Sequence, residues 1–227
     1  AVTRQLVSDV PVGAFLSGAA ARHLAARFGA PGTVLIGLGL EVAGVLILAL
    51  LLGPATPGWL IAIPLVVYGL GLGLASAQLT GTVLRDIPVE VSGQGSATQS
   101  TVRQIGSALG TAFAGATLSI SLALTLPTAL GDAGLTGAEA DSLADATRQS
   151  AGTTIMQLRE QGSSSSLGDQ TATAVDALTS GFADATRWAL LIATVFLALG
   201  FIGALRLRRA SVATPINPSA QQEAHPS

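Results

Sequence analysis

A polar stretch that carries one arginine leads directly into a long uncharged run near the middle of the chain. Arg103 and Gln104 end the polar part, and residues 111–126 contain no charge. An arginine beside a membrane-spanning segment is energetically costly unless it faces a protein interior or reaches the aqueous boundary. The pattern predicts a membrane protein with a polar pathway of the kind that a transporter needs.

Helical spacing places further small and polar residues on the face of Arg103. Gly106 and Gly110 lie three and seven residues after Arg103, and Gln99 lies four residues before it, so all of them share one helix face. We expect Arg103, Gln104 and Gln99 to line a transport pathway. The alternative is that Arg103 is an anchor whose long side chain reaches the cytoplasmic boundary, because the uncharged run after it is long enough to span alone.

One acidic residue interrupts an otherwise apolar run. Glu41 is the ninth residue of the run 33–52, roughly 12 Å along a helix that rises about 1.5 Å per residue. Desolvation disfavours the charged form of a carboxyl group, which suits such a residue to carry a proton in a transport cycle. The alternative is a structural hydrogen bond to a neighbouring helix. Gln78 has the same two interpretations, as a pathway residue or as an interhelical hydrogen-bonding group.

Four glycines have the spacing that allows membrane helices to approach closely. Gly69 and Gly73 form one such pair, and Gly106 and Gly110 form the other. Small residues four positions apart leave room for a neighbouring backbone. We expect these four glycines to mediate helix packing. Gly69–Gly73 is not a nucleotide-binding loop, because it lies within an uncharged run.

Composition excludes several classes of function. Hydrophobic residues make up 49% of the 227 residues and charged residues only 11%, whereas soluble domains carry about 25% charged residues. The net charge of -2 gives no support for a nucleic-acid partner. The chain has no cysteine and two histidines, and it contains no catalytic, phosphate-binding or metal-ligand motif. We therefore predict no enzymatic activity, no cofactor and no metal site.

The apolar runs predict an all-α integral membrane protein. Crossing a bilayer takes about 20 apolar residues. Four runs are long enough, and a weaker fifth candidate precedes them. The predicted transmembrane helices cover about residues 6–21, 33–52, 59–84, 94–126 and 187–210.

The segments outside these runs have a different character. Residues 127–186 are acidic and rich in Ser, Thr and Gly, and we expect an extracytoplasmic loop without a clear apolar face. Short polar helices are predicted at 137–150 and 171–185, with a flexible linker at the serine run 163–166. Residues 211–227 are predicted to form a disordered tail.

Arginine placement predicts the orientation. Arg22, Arg27, Arg85 and the arginines after the last span fall on one side if the spans alternate. Arginine is enriched in cytoplasmic loops, so we expect a multi-pass protein of the cell membrane with a cytoplasmic C-terminus. Trp59 and Trp188 then begin spans on the external side, where interfacial aromatic residues belong.

The stretch 87–112 resembles a signature of major facilitator superfamily drug exporters. It is most similar to the drug:proton antiporter group with fourteen helices, the EmrB/QacA type. The matching residues are Pro88, Gly93, Ser96, Arg103, Gln104, Gly106 and Gly110. Residues 24–29 also resemble the second-half copy of the superfamily's cytoplasmic loop motif, with Ala26 in place of its aspartate. The resemblance covers about residues 5–210 and corresponds to the last five helices.

This resemblance implies a fold and a function. The fold would be the C-terminal half of a major facilitator superfamily protein, with four to five of its transmembrane helices. The function would be proton-coupled efflux of drugs or other small organic compounds by alternating access. The partners would be that substrate, protons, the lipid bilayer and the missing N-terminal helices of the same transporter. The alternatives are a facilitator-type importer of a metabolite and a non-transporting membrane scaffold or interaction subunit.

Overall fold

Six α-helices follow one another along the described chain. The structure, a computed structural model, describes the backbone of residues 2–84 and 88–213, with side chains over 23–78, 88, 90–206 and 208–209. No strand occurs in these residues, which confirms the all-α prediction for this part of the chain. The helices are α1 (Val2–Leu51), α2 (Gly58–Leu84), α3 (Ser92–Asp132), α4 (Ala138–Gln149), α5 (Thr153–Gln161) and α6 (Thr171–Ala213).

Four segments of the described helices are long and apolar enough to cross a membrane. They are His23–Leu51, Gly58–Gln78, Ser92–Asp132 and Gly168–Arg206. Each of them overlaps one of the four stronger runs predicted from sequence, 33–52, 59–84, 94–126 and 187–210. The weaker candidate, 6–21, is helical in its backbone, and its side chains lie outside the described residues.

Gly29 divides α1 into two helices. Its φ of 73° and ψ of 165° interrupt the helical geometry, and a positive φ is a conformation that favours glycine. The part that can span a membrane in full helical geometry is therefore residues 30–51.

Helices α1 and α2 pack backbone against backbone. A Cβ atom on Gly71 would lie 2.5 Å from the carbonyl oxygen of Gly37, and one on Gly44 would lie 2.7 Å from the backbone nitrogen of Tyr68. Distances this short leave no room for a side chain, so glycine permits the close approach. The connection between the two helices is short, and the Thr56 hydroxyl donates a hydrogen bond of 2.8 Å to the Leu51 carbonyl oxygen.

Helix α6 contacts two different helices along its length. Its N-terminal part, as far as Phe196, packs on α3, and the Phe113 and Phe196 rings meet edge to face with centroids 4.4 Å apart. Its second half packs on α1, where a Cβ on Gly39 would lie 3.7 Å from the Phe201 ring. Helix α6 therefore connects α3 with the α1–α2 pair.

The segment predicted to be a polar loop contains a buried apolar cluster. Short helices α4 and α5 pack there against the end of α3 and the start of α6. The prediction that residues 127–186 lack an apolar face is therefore wrong. The cluster consists of Leu122, Leu126, Leu130, Ala144, Ile155, Leu158, Val175, Ala177, Leu178 and Ala185.

Several predicted boundaries differ from the structure in this region. The predicted helix 137–150 corresponds to α4, but 171–185 is the beginning of α6 rather than a separate helix. Helix α5 was not predicted. The serine run forms a tight turn in which the hydroxyls of Ser165 and Thr171 are hydrogen-bonded. Residues 211–213 continue α6, and the rest of the predicted tail lies outside the described residues.

Candidate functional site

Contacts between antiparallel helices show which of their residues lie at the same level along the helix axes. Phe113 of α3 lies opposite Phe196 of α6, and Gly39 and Gly32 of α1 lie near Phe201 and Arg208. Residue numbers therefore rise along one helix as they fall along its partner. These pairs make it possible to compare depths in all four long helices.

The exposed tryptophans mark one level of these helices. Trp59 and Trp188 are 69% and 59% exposed. When the α1–α2 and α1–α6 contacts are extended along the helices, both tryptophans lie level with Leu51. We call this the tryptophan end. The opposite end of α6 carries Arg206, Arg208 and Arg209, and we call it the arginine end. Trp188 and Arg206 are about 27 Å apart along the helix, close to the thickness of a bilayer core of about 30 Å.

Glu41 lies near the middle of this span. The α1–α6 contacts place it level with Leu199, about 16 Å from the tryptophan end at about 1.5 Å per residue. Its residue is only 7% exposed. It sits in the α1–α2 contact, because a Cβ on Gly71 would lie 2.7 Å from the Glu41 backbone nitrogen. The central depth expected from its position in the apolar run is therefore found in the fold.

The other four candidate pathway residues lie at the arginine end. Extending the Phe113–Phe196 pair along the helices places Arg103 level with Arg206. Gln104 is one residue closer to the tryptophan end, whereas Gln99 is further away. Gln78 falls at the level of Gly32, whose own neighbour is Arg208. The structure thus separates Glu41 in height from the remaining polar candidates.

This height favours the interpretation of Arg103 as a residue of the membrane boundary. Its side chain is exposed, and the ion pair found within the described residues joins Arg148 to Asp145 rather than Arg103 to Glu41. A direct charge pair between the two candidates is therefore absent from the described fold. The pathway role of Arg103 and Gln104 stays a prediction, and at this height it concerns the mouth of a pathway rather than its centre.

The arginine-end half of α3 is exposed on all sides. Residues 100–116 are all exposed, and they include the polar side chains of Thr101, Arg103, Gln104 and Ser107. Thr101, Arg103 and Gln104 lie at the level of the arginine end, where water can surround them, whereas Ser107 lies within the span.

The predicted packing glycines occupy open positions. A Cβ on Gly69, Gly106 or Gly110 would meet nothing within 4 Å, and Gly73 is half-buried. Their role in helix packing stays a prediction. The glycines that do make close contacts are Gly37, Gly44 and Gly71, and their role was not predicted. The seven-residue separation of Gly37 and Gly44 puts both on one helix face and could have revealed them.

An open groove follows the α3–α6 pair. It comprises three adjoining cavities of about 640, 410 and 610 Å³. The first two share Phe113 and Thr117, and the last two share Leu124 and Thr125. The groove is apolar toward the arginine end. Beyond the tryptophan end it is also lined by three carboxylates, those of Asp132, Asp176 and Asp184. Within the described residues, no cluster of side chains could hold a metal ion.

Comparison with known proteins gives one partial similarity. The chain is 40% identical over 63 residues to the riboflavin transporter RibZ of Clostridioides difficile (strain 630). The match spans 28% of this chain and 14% of the length of that relative. No protein family model matches the chain, and no solved structure matches it. The chain is thus a helical protein with candidate membrane spans that is similar, over a limited segment, to a protein named as a riboflavin transporter.

Proposed function

We propose that this chain forms the C-terminal helices of a proton-coupled exporter of small organic compounds. The observation that supports the proposal is the position of Glu41, which is buried near the middle of the candidate membrane span. Among the described residues between the tryptophan and arginine ends of the four long helices, Glu41 is the acidic one. A carboxyl group at this depth is a functional candidate because it is costly to keep there.

The proposed mechanism is alternating access. In such transporters, substrate and coupling-ion sites lie near the midplane, between groups of helices that rock against each other. Glu41 would take up and release the coupling proton. The exposed polar half of α3 would face the pathway or the N-terminal helices of the same transporter, with Arg103 and Gln104 at its mouth. The arginine end would be cytoplasmic, and the C-terminus would therefore also be cytoplasmic.

A metabolite importer is the second candidate function within transport. RibZ is named as a riboflavin transporter, which supports a metabolite as substrate and leaves the direction of transport open. The two functions differ in direction. Riboflavin and a cationic dye should each be offered to right-side-out and inverted membrane vesicles that contain the protein expressed from its complete reading frame. Accumulation in inverted vesicles supports export, and accumulation in right-side-out vesicles supports import. Absence of transport in both would favour a scaffold.

Substitution of Glu41 tests the coupling proposal. Glu41→Gln removes the titratable proton while keeping the size and polarity of the side chain. We expect it to reduce proton-driven transport by about 100-fold or more, in the range typical of lost proton-transfer groups, while membrane insertion remains normal. The measurement is the rate of substrate flux as a function of the imposed pH gradient.

The matched control is Glu90→Gln, the same chemical change at an exposed position in the turn Val89–Val91. This control should transport at the parental rate. If Glu41→Gln retains the parental pH dependence, Glu41 has only a structural role and the proposal loses its main support.

A further inference from the structure

We infer that residues 121–187 form a helical unit outside the membrane that holds α3 and α6 together at the tryptophan end. We call it the outer unit. As a result the two helices form a rigid arm that can separate only at its arginine end. This inference does not depend on the substrate or on the direction of transport.

The heights of the charged residues place this unit outside the bilayer. Helix α6 begins at Thr171, about 25 Å beyond the level of Trp188 at about 1.5 Å per residue. Asp184 and Arg187 lie in this extension, and Asp132 lies at the end of α3. Charged side chains are costly in hydrocarbon. Both helices therefore continue well past the membrane surface without a break.

The unit has a core of its own. Leu122, Leu126 and Leu130 recur every four residues and form one stripe along α3, and all three are buried. The stripe packs on Leu178 and other residues of α6. Helices α4 and α5 close the cluster with Ala144, Ile155 and Leu158. A polar connecting loop would not need such a core, because exposed loops satisfy their backbone groups with water.

Specific contacts join α3 to α6 inside this unit. The Thr125 hydroxyl donates a hydrogen bond of 2.8 Å to the Gly181 carbonyl oxygen. A Cβ on Gly181 would lie 3.1 Å from the Ala129 Cβ, so the two helices are in tight contact there. The turn between α4 and α5 also presses on α6, because a Cβ on Gly152 would lie 2.9 Å from the Phe182 ring.

The arginine end of the pair is built differently. Below the Phe113–Phe196 contact, residues 100–112 of α3 are exposed, and α3 has some contact with α2. Helix α6 packs there on α1 instead, through Phe201 and Arg208. Within the described fold, α3 therefore has a firm attachment to α6 at one end and an open surface at the other. Such an arrangement permits hinge motion at the open end and resists it at the closed end.

Pairs of spin labels can measure this difference directly. The chain has no cysteine, so each introduced pair is labelled uniquely. An outer pair is Thr128→Cys with Thr173→Cys, and an inner pair is Val102→Cys with Ile202→Cys; all four positions are exposed. Electron double resonance in lipid nanodiscs then gives the distance distribution of each pair.

We expect a single narrow distance distribution for the outer pair. For the inner pair we expect a distribution that is roughly twofold broader, or a mean distance that changes with the pH of the buffer, because the two regions differ in local stability. Leu178→Ala in the core should broaden the outer distribution, whereas Leu199→Ala, at an exposed position of the same helix, should not. Equal widths for the outer and inner pairs in the parent protein, together with an inner distance that does not change with pH, would overturn the inference, as would an outer distribution that Leu178→Ala leaves unchanged.

Discussion

The outer unit and the membrane helices are packed by different means, although α3 and α6 run through both. In the outer unit, leucines are buried against one another, and Leu126, Leu130 and Leu178 have no exposed surface. In the membrane helices, Val66 and Leu199 are largely exposed, and α1 and α2 approach each other through the backbone atoms of glycines. One chain therefore shows two solutions to helix packing.

The difference follows from the two solvents. In water, burial of apolar surface drives side chains into a common core. In lipid this drive is absent between helices, so association relies on close van der Waals contact and on small residues. Two kinds of substitution should therefore matter in the two regions: removal of side-chain volume in the outer unit and addition of volume between the membrane helices.

The largest effect is expected for truncation of a core leucine in the outer unit. Leu126→Ala should lower the free energy of unfolding by about 2–5 kcal/mol, because it removes buried methyl groups and leaves a cavity. The control is Leu124→Ala, two residues away on the same helix, where the side chain is 68% exposed. Chemical denaturation in detergent micelles, followed by circular dichroism, measures both. Equal destabilisation by the two variants would mean that the outer unit has no separate core.

A smaller effect is expected for an added methyl group between α1 and α2. Gly71→Ala places a Cβ 2.5 Å from the Gly37 carbonyl oxygen, and we expect a loss of about 1–3 kcal/mol from overpacking. Gly69→Ala is the control, because a Cβ there meets nothing within 4 Å. The midpoint of thermal unfolding should fall for the first variant and stay level or rise for the second. A parental midpoint for Gly71→Ala would show that the two backbones are further apart.

The smallest effect is expected for the hydrogen bond between α3 and α6. Thr125→Val removes the hydroxyl that bonds to Gly181, and we expect a loss of about 1 kcal/mol in unfolding free energy. Thr128→Val is the matched control, since its hydroxyl bonds to the Leu124 carbonyl oxygen of its own helix. Denaturation curves of the two variants should differ by this amount. Identical curves would leave side-chain packing as the main contact between the helices.

The membrane part of the fold was largely predictable from sequence. Long runs without charge identify the spans, because a charged group in hydrocarbon is costly. The turn between α1 and α2 contains Gly53, Pro54, Pro57 and Gly58, residue types that are typical of turns. The central height of Glu41 also followed from its place in its run. The heights of Arg103 and Gln78 could not be predicted, because they depend on the register of neighbouring helices.

The outer unit was missed for a related physical reason. Hydropathy does not distinguish an apolar stripe that faces lipid from one that faces a protein core, so Leu122 and Leu126 were predicted to lie in the span 94–126, whereas Leu130 fell in the predicted loop 127–186. Pro127 favoured a helix end there, because an interior proline loses a backbone hydrogen bond, yet α3 continues through it to Asp132. The four-residue spacing of Leu122, Leu126 and Leu130 was the available sign.

The hydrogen bond between Thr125 and Gly181 has a consequence for the order of assembly during synthesis. Its partners are 56 residues apart in the chain, so at about 5–20 residues per second the ribosome reaches Gly181 roughly 3–11 seconds after Thr125. During that interval the leucine stripe of α3 has no α6 to pack against. The outer unit can therefore close only after α6 has been made, so its folding follows the synthesis of α1, α2 and α3.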